Sequence, residues 1–219
     1  MKQKIVDYLD FIIPNPKCEL NYNLDYELVI ATMLSAQTTD KRVNMVTSIL
    51  FKKYDSLEKL ANASIDDVID IIKPLGTFNK KATNIIEIAK KIKVLGYVPN
   101  DRIFLESLSG VGRKTANVVL SNLYGVNVIA VDTHVKRVAY RLGIANIDDD
   151  VLTIENKLTK YFKDYDLSRL HHQLVLFGRY YCKAKNPKCN ECKLKSICKH
   201  NWYGENNLLY CNIFIIIWL

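Results

Sequence analysis

The sequence predicts an all-α protein. Three observations carry that reading. Apolar residues recur at helical spacing through most of the chain, no run of alternating strand-type positions interrupts them, and the breaks between periodic stretches are short and marked by Gly or Pro. The expectation is about ten helices of roughly 8–18 residues joined by short turns, with no tandem repeat.

Taken along the chain, helix starts are marked by Asp40, by Ser64 with Asp67 three residues on, and by Asp132. Ile85, Ile86, Ile88, Ala89, Ile92 and Leu95 form one apolar face of a long helix. Breaks fall at Pro74-Leu75-Gly76, from Gly96 to Pro99, at Gly110-Val111-Gly112, at Gly125 and at Gly143. A helix ends near Ser107 and another begins at about Arg113. Its core stripe is Ala116, Val119, Leu120 and Leu123, opposite a polar stripe of Lys114, Asn117 and Ser121.

A chain of 219 residues can bury one large core or two small ones. Hydrophobic content of 49% and charged content of 25% are ordinary for a folded protein. The formal net charge of +8 favours polyanionic partners. Lys183, Lys185, Lys188, Lys193, Lys195 and Lys199 concentrate that charge near the C-terminus. They suit a phosphate-binding face better than a loose solvated tail if the segment is rigid. Nothing at the N-terminus resembles a targeting signal. Residues 208–219 carry no charge, are too few to span a bilayer as a helix, and have no assigned function.

Leu108–Ala116 reads LSGVGRKTA. Two glycines permit a tight turn, and the helix that follows offers its positive end to an anion such as a DNA phosphate. Lys114 lies in the first turn of that helix, where the dipole disfavours a cation. It is read either as a solvent lysine or as an amine activated by position and partial burial, able to form a Schiff base with a sugar aldehyde. Asp132, in IAVDTHV, reads as a helix N-cap that also holds a carboxylate for chemistry.

Cys182, Cys189, Cys192 and Cys198 follow C-x6-C-x2-C-x5-C. Four thiolates this close suit zinc or an iron–sulfur cluster. Zinc sites usually use two short hooks, and only Cys189 and Cys192 form one, so the spacing favours a 4Fe–4S cluster and leaves zinc open. Cys18 and Cys211 stand outside the motif as free thiols, and the absence of a signal peptide argues against disulfides.

Together these segments resemble the endonuclease III family of DNA glycosylase/AP lyases, among the helix-hairpin-helix glycosylases. LSGVGRKTANVVL, AVDTHV and the cysteine loop match in order and spacing, and LSAQTTD at 34–40 is a fourth match. The resemblance covers about residues 15–200. It implies two helical lobes with a DNA-binding cleft between them. One is a six-helix barrel lobe at 19–126, with the helix-hairpin-helix at about 107–126. The other combines 1–18 with 127–200 and holds a 4Fe–4S cluster on the four cysteines, leaving 201–219 as an apolar tail.

The same resemblance makes Lys114 the Schiff-base lysine and Asp132 the catalytic aspartate. Gln37 becomes the residue that fills the gap in the duplex, and Thr77 beside Phe78 the wedge. Gly110, Val111, Gly112, Arg113, His134, Lys185 and Lys188 become DNA contacts. The implied activity is removal of oxidised pyrimidines and nicking 3′ to the lesion. The partner is damaged or abasic double-stranded DNA, and the protein is a cytoplasmic, nucleoid-associated monomer with no membrane contact.

Two positions depart from the family: Ser109 stands where proline is frequent, and Thr77 where the wedge is commonly aliphatic. Two other readings are weighed. An adenine mismatch glycosylase usually has serine where this chain has Lys114, and a further C-terminal domain. A non-enzymatic DNA-binding module would leave Lys114 and Asp132 incidental.

Overall fold

The computed structural model describes residues 1–201, so the expected apolar tail at 201–219 lies, from residue 202 on, outside the described residues. Among those described there are eleven α-helices, short 3₁₀ turns after them, and no strand. The chain divides into two compact units: Cys18–Val126, and Met1–Lys17 together with the chain from Asn127 onward.

The Cys18–Val126 unit holds α2 (Asp25–Leu34), α3 (Asp40–Lys53), α4 (Leu57–Ala61), α5 (Ile65–Ile72), α6 (Phe78–Leu95), α7 (Arg102–Glu106) and α8 (Arg113–Tyr124). α2 is apolar almost all round and is buried from Tyr26 to Leu34, which makes it the central helix of this core. It packs on α3, α6 and α8. Its start is fixed by Glu27, whose carboxylate accepts from the Asn23 and Leu24 amides at 2.6 and 3.2 Å. The long α6 buries Ala82, Ile85, Ile88, Ala89 and Ile92 on one face and packs against α2, α4 and α5. It stops at Gly96, which takes a left-handed backbone at φ 78°.

The other unit holds α1 (Lys2–Ile12), α9 (Thr133–Arg141), α10 (Val151–Tyr161), α11 (Leu167–Tyr180) and the cysteine loop. Its core joins Ile5 and Leu9 to Val135, Val138, Ile154, Phe162 and Leu174. Asp132, Asp150 and Asp166 cap α9, α10 and α11, each accepting from an amide three residues on. Each such cap is worth about 1 kcal/mol. α1 is tied to α11 through Asp10, which accepts from Arg169 at 2.7 Å and from buried Gln173 at 2.8 Å.

Candidate functional site

The hairpin between α7 and α8 is built around its central residue. Val111 is 5% exposed, and its amide donates to the Leu108 carbonyl at 3.0 Å. The turn is therefore anchored by an apolar side chain, and the Val111 amide is turned inward rather than toward an anion. Gly110 adopts φ 75°, a left-handed backbone that favours glycine, and a Cβ there would press on the Asn84 side chain of α6. The Ser109 hydroxyl bonds the Glu87 carboxylate of α6. Serine thus supplies a side-chain tether to the turn.

Lys114 is exposed, which corrects the expected partial burial. The rest of its stripe behaves oppositely: Asn117 and Ser121 are 1% and 4% exposed, and Arg102 donates to the Asn117 side chain. From Ala116 to Ser121 every residue of α8 is buried. The fully exposed residues of α8, Arg113 and Lys114, both lie in its first turn.

Two more loops of this unit carry predicted contacts. Gln37 is exposed, between α2 and α3, with a left-handed backbone at φ 57°. Thr77, at the start of α6, is likewise exposed and left-handed at φ 55°. Its hydroxyl donates to the Gly76 carbonyl at 2.7 Å. Phe78 packs partly against the core, so Thr77 is the more exposed of the pair.

In the other unit, Asp132 ends the buried run Ile129-Ala130-Val131 and accepts from the Val135 amide at 2.8 Å. One oxygen is committed to the cap, and the residue remains partly exposed. His134 is half-buried, with Nδ1 3.2 Å from Arg137 Nη2. Burial pushes its imidazole down, while the Asp132 charge opposes that shift. A ring held toward neutrality suits positioning better than ion-pairing with phosphate. Gly178 of α11 lets the two helices close here, since a Cβ would lie 2.9 Å from His134 Cβ.

Cys182, Cys189, Cys192 and Cys198 all line one cavity of about 180 Å³, walled also by Tyr8 of α1 and Phe177 of α11. The Tyr8 hydroxyl reaches the Glu191 carbonyl at 3.4 Å, and burial pushes the Cys192 thiol up. Among the described residues no three His, Cys, Asp or Glu side chains are gathered closely enough to hold a single metal ion. The six lysines of the loop are all exposed. Lys188 Nζ lies 5.1 Å from the Tyr181 ring centroid and Lys193 Nζ 4.6 Å from that of Phe11, which orders two of them.

Two arginines on α9 escaped the sequence reading. Arg137 donates to the Cys182 carbonyl at 3.0 Å and to the Gly178 carbonyl at 2.6 Å. Arg141, 7% exposed, donates to the Cys182 sulfur and to the Lys183 carbonyl. The available signal was their spacing of four on a helix whose Val135, Val138 and Ala139 are buried.

Residues 30–164 match the family described as HhH-GPD superfamily base excision DNA repair protein. Endonuclease III of Bacillus subtilis (strain 168) is 46% identical over 196 residues, covering 89% of this chain and 90% of the relative. Endonuclease III of Escherichia coli (strain K12) is 41% identical, covering 85% and 89%. A solved structure of a trapped endonuclease III–DNA covalent intermediate superposes with a TM-score of 0.87 at 42% identity, covering 93% of this chain and 98% of that one. A thermostable thymine-DNA glycosylase, at 20% identity and a TM-score of 0.81, shares the fold. The order of hairpin, capped Asp132 helix and four-cysteine loop thus has a family behind it: the chain belongs to the HhH-GPD superfamily of base excision DNA repair proteins, and within it to the endonuclease III family.

Proposed function

We propose that this protein removes oxidised pyrimidines from double-stranded DNA and cleaves the abasic strand through a Schiff base on Lys114. The observation that carries the reading is the exposed Lys114 amine at the positive end of α8, beside a hairpin anchored by Val111. An amine open to solvent is reachable by a sugar carbon. The damaged nucleotide leaves the stack at a cost of roughly a few kcal/mol, least for bases that are already poorly stacked. The Asp132 carboxylate stabilises positive charge developing on the sugar. The Lys114 ammonium gives up a proton, its freed nitrogen bonds C1′ as the glycosidic bond breaks, and the base departs with the bonding electrons and takes up that proton. Ring opening leaves an imine between Lys114 and C1′. Loss of a C2′ proton then expels the 3′ phosphate, and hydrolysis of the imine frees the enzyme.

The four cysteines fit a 4Fe–4S cluster: all four line one cavity, yet among the described residues no three of them gather closely enough for a single metal ion. Cys182, Cys189, Cys192 and Cys198 would hold the cluster, which would tie the loop together and keep its lysines in place. Lys185 and Lys188 then contact phosphates, as does the hairpin through Gly110, Gly112 and Arg113, with Val111 as its buried anchor. Gln37 fills the gap, with Thr77 and Phe78 at its edge. His134 positions Asp132 from the same helix. The protein acts as a monomer on nucleoid DNA in the cytoplasm. Among the described residues no helix is long and apolar enough to cross a membrane.

Borohydride trapping on duplex DNA with one abasic site tests the central step. The expected result is a covalent adduct at one protein per strand that disappears in Lys114→Ala. Tight binding with no adduct would replace the lyase by a plain DNA-binding module or a monofunctional glycosylase.

A further inference from the structure

Lys81 is a buried lysine that the chemistry above does not use. It stands in the first turn of α6, where the helix dipole disfavours a cation, and it is 5% exposed. Burial pushes its ammonium down, and no carboxylate offsets that shift. Instead Nζ donates to the Ala36 carbonyl at 2.9 Å and to the Thr38 hydroxyl at 3.2 Å. Those two residues bracket Gln37. The Lys81 amide donates to the Thr77 carbonyl at 3.1 Å.

One residue is therefore bonded on either side of Gln37 and, through its backbone, to Thr77. These are two of the three non-glycine residues with positive φ among those described. A left-handed backbone outside glycine persists only where neighbouring structure holds it, and such positions gather at functional loops. A charge-assisted bond to Ala36 supplies that hold, since the peptide flanking Gln37 cannot rotate without breaking it. Asn84, one turn further along α6, meets Gly110 of the hairpin, so the same helix face locates both loops and the turn.

We propose that Lys81 is a positioning residue that locks the Gln37 loop to the Thr77 turn, so that both enter an opened duplex as one preformed element. This rests on the reading of Gln37 as the residue that fills the gap. Without the lock, the loop must be ordered during base extrusion, and excision from duplex DNA slows while chemistry on an already exposed sugar does not need the loop.

The test compares Lys81→Met, which keeps the stem and removes the donors, with Lys81→Arg and Gln37→Ala. Three readouts are used: kcat/KM for an oxidised pyrimidine in a duplex, strand cleavage of a single-stranded abasic oligonucleotide, and fluorescence of 2-aminopurine opposite an abasic analogue. Lys81→Met should lose roughly 10- to 100-fold on the duplex and far less on the single strand. Its 2-aminopurine signal should match that of Gln37→Ala, and Lys81→Arg should recover part of both. Equal losses on the two substrates would mean general support of the fold and would overturn the proposal. So would a normal duplex rate in Lys81→Met alongside an impaired Gln37→Ala. A Gln37→Ala enzyme with wild-type duplex excision and fluorescence would instead remove the gap-filling reading itself.

Discussion

Arg141 Nη1 lies 3.3 Å from the sulfur of Cys182 and 2.8 Å from the carbonyl of Lys183. This buried arginine holds the backbone of the cysteine loop to α9 through charge-assisted bonds. Arg141→Gln should lower stability by roughly 1–3 kcal/mol, because a buried guanidinium and its bonds to the Cys182 and Lys183 carbonyls are lost. It should also reduce iron content per chain. Metal analysis and thermal melting read the two effects separately, and a normal iron content with an unchanged melt would show that Arg141 supports neither.

Lys114→Ala should abolish imine trapping and strand cleavage yet change stability by no more than about 0.5 kcal/mol, as expected for an exposed side chain. Calorimetry beside the trapping assay decides it. Full lyase activity in this variant would place the Schiff base elsewhere.

Asp132→Asn should keep the cap on the Val135 amide, since asparagine caps about as well as aspartate. Base release should nonetheless fall by roughly 10²-fold or more, the scale of a lost electrostatic stabiliser. A destabilised protein with near-normal turnover would mean that capping is the residue's whole role.

Neutralising Lys185 and Lys188 together should flatten the slope of log K against log salt by about one to two units, at roughly 0.9 per phosphate contact. Damaged and undamaged DNA should weaken alike, because phosphate contacts carry no lesion information. Loss of lesion preference at an unchanged slope would contradict that division.

Burial pushes the His172 imidazole down, with Asp166 opposing the shift. The folded state therefore binds its proton later than the unfolded chain does. Stability should be unaffected by this group above the ordinary histidine pKa of about 6.5 and should decline as pH falls below it, until the folded pKa is reached. His172→Gln should make the decline below about pH 6.5 shallower in chemical denaturation. An identical pH profile for the two proteins would exclude His172 as a contributor.

Most of the architecture was legible from local signals. Helical periodicity, the helix start after Ser64, the cap at Asp132, and the glycine stops at Gly96 and Gly125 act within one or two turns, so their physics is written in neighbouring residues. The chemistry-bearing residue types were legible for the same reason: a lysine after G-V-G, a capping aspartate and four spaced thiols are local patterns. Only the tertiary structure decided which side chains meet water. Asn117 and Ser121 share a stripe with Lys114, yet they are buried and Lys114 is not, because exposure depends on what packs over a helix rather than on its period. The contacts of Arg141 with Cys182, and of Lys81 with Ala36, join residues 41 and 45 positions apart. Pairing at that distance is set by how the helices pack, and no local pattern encodes it.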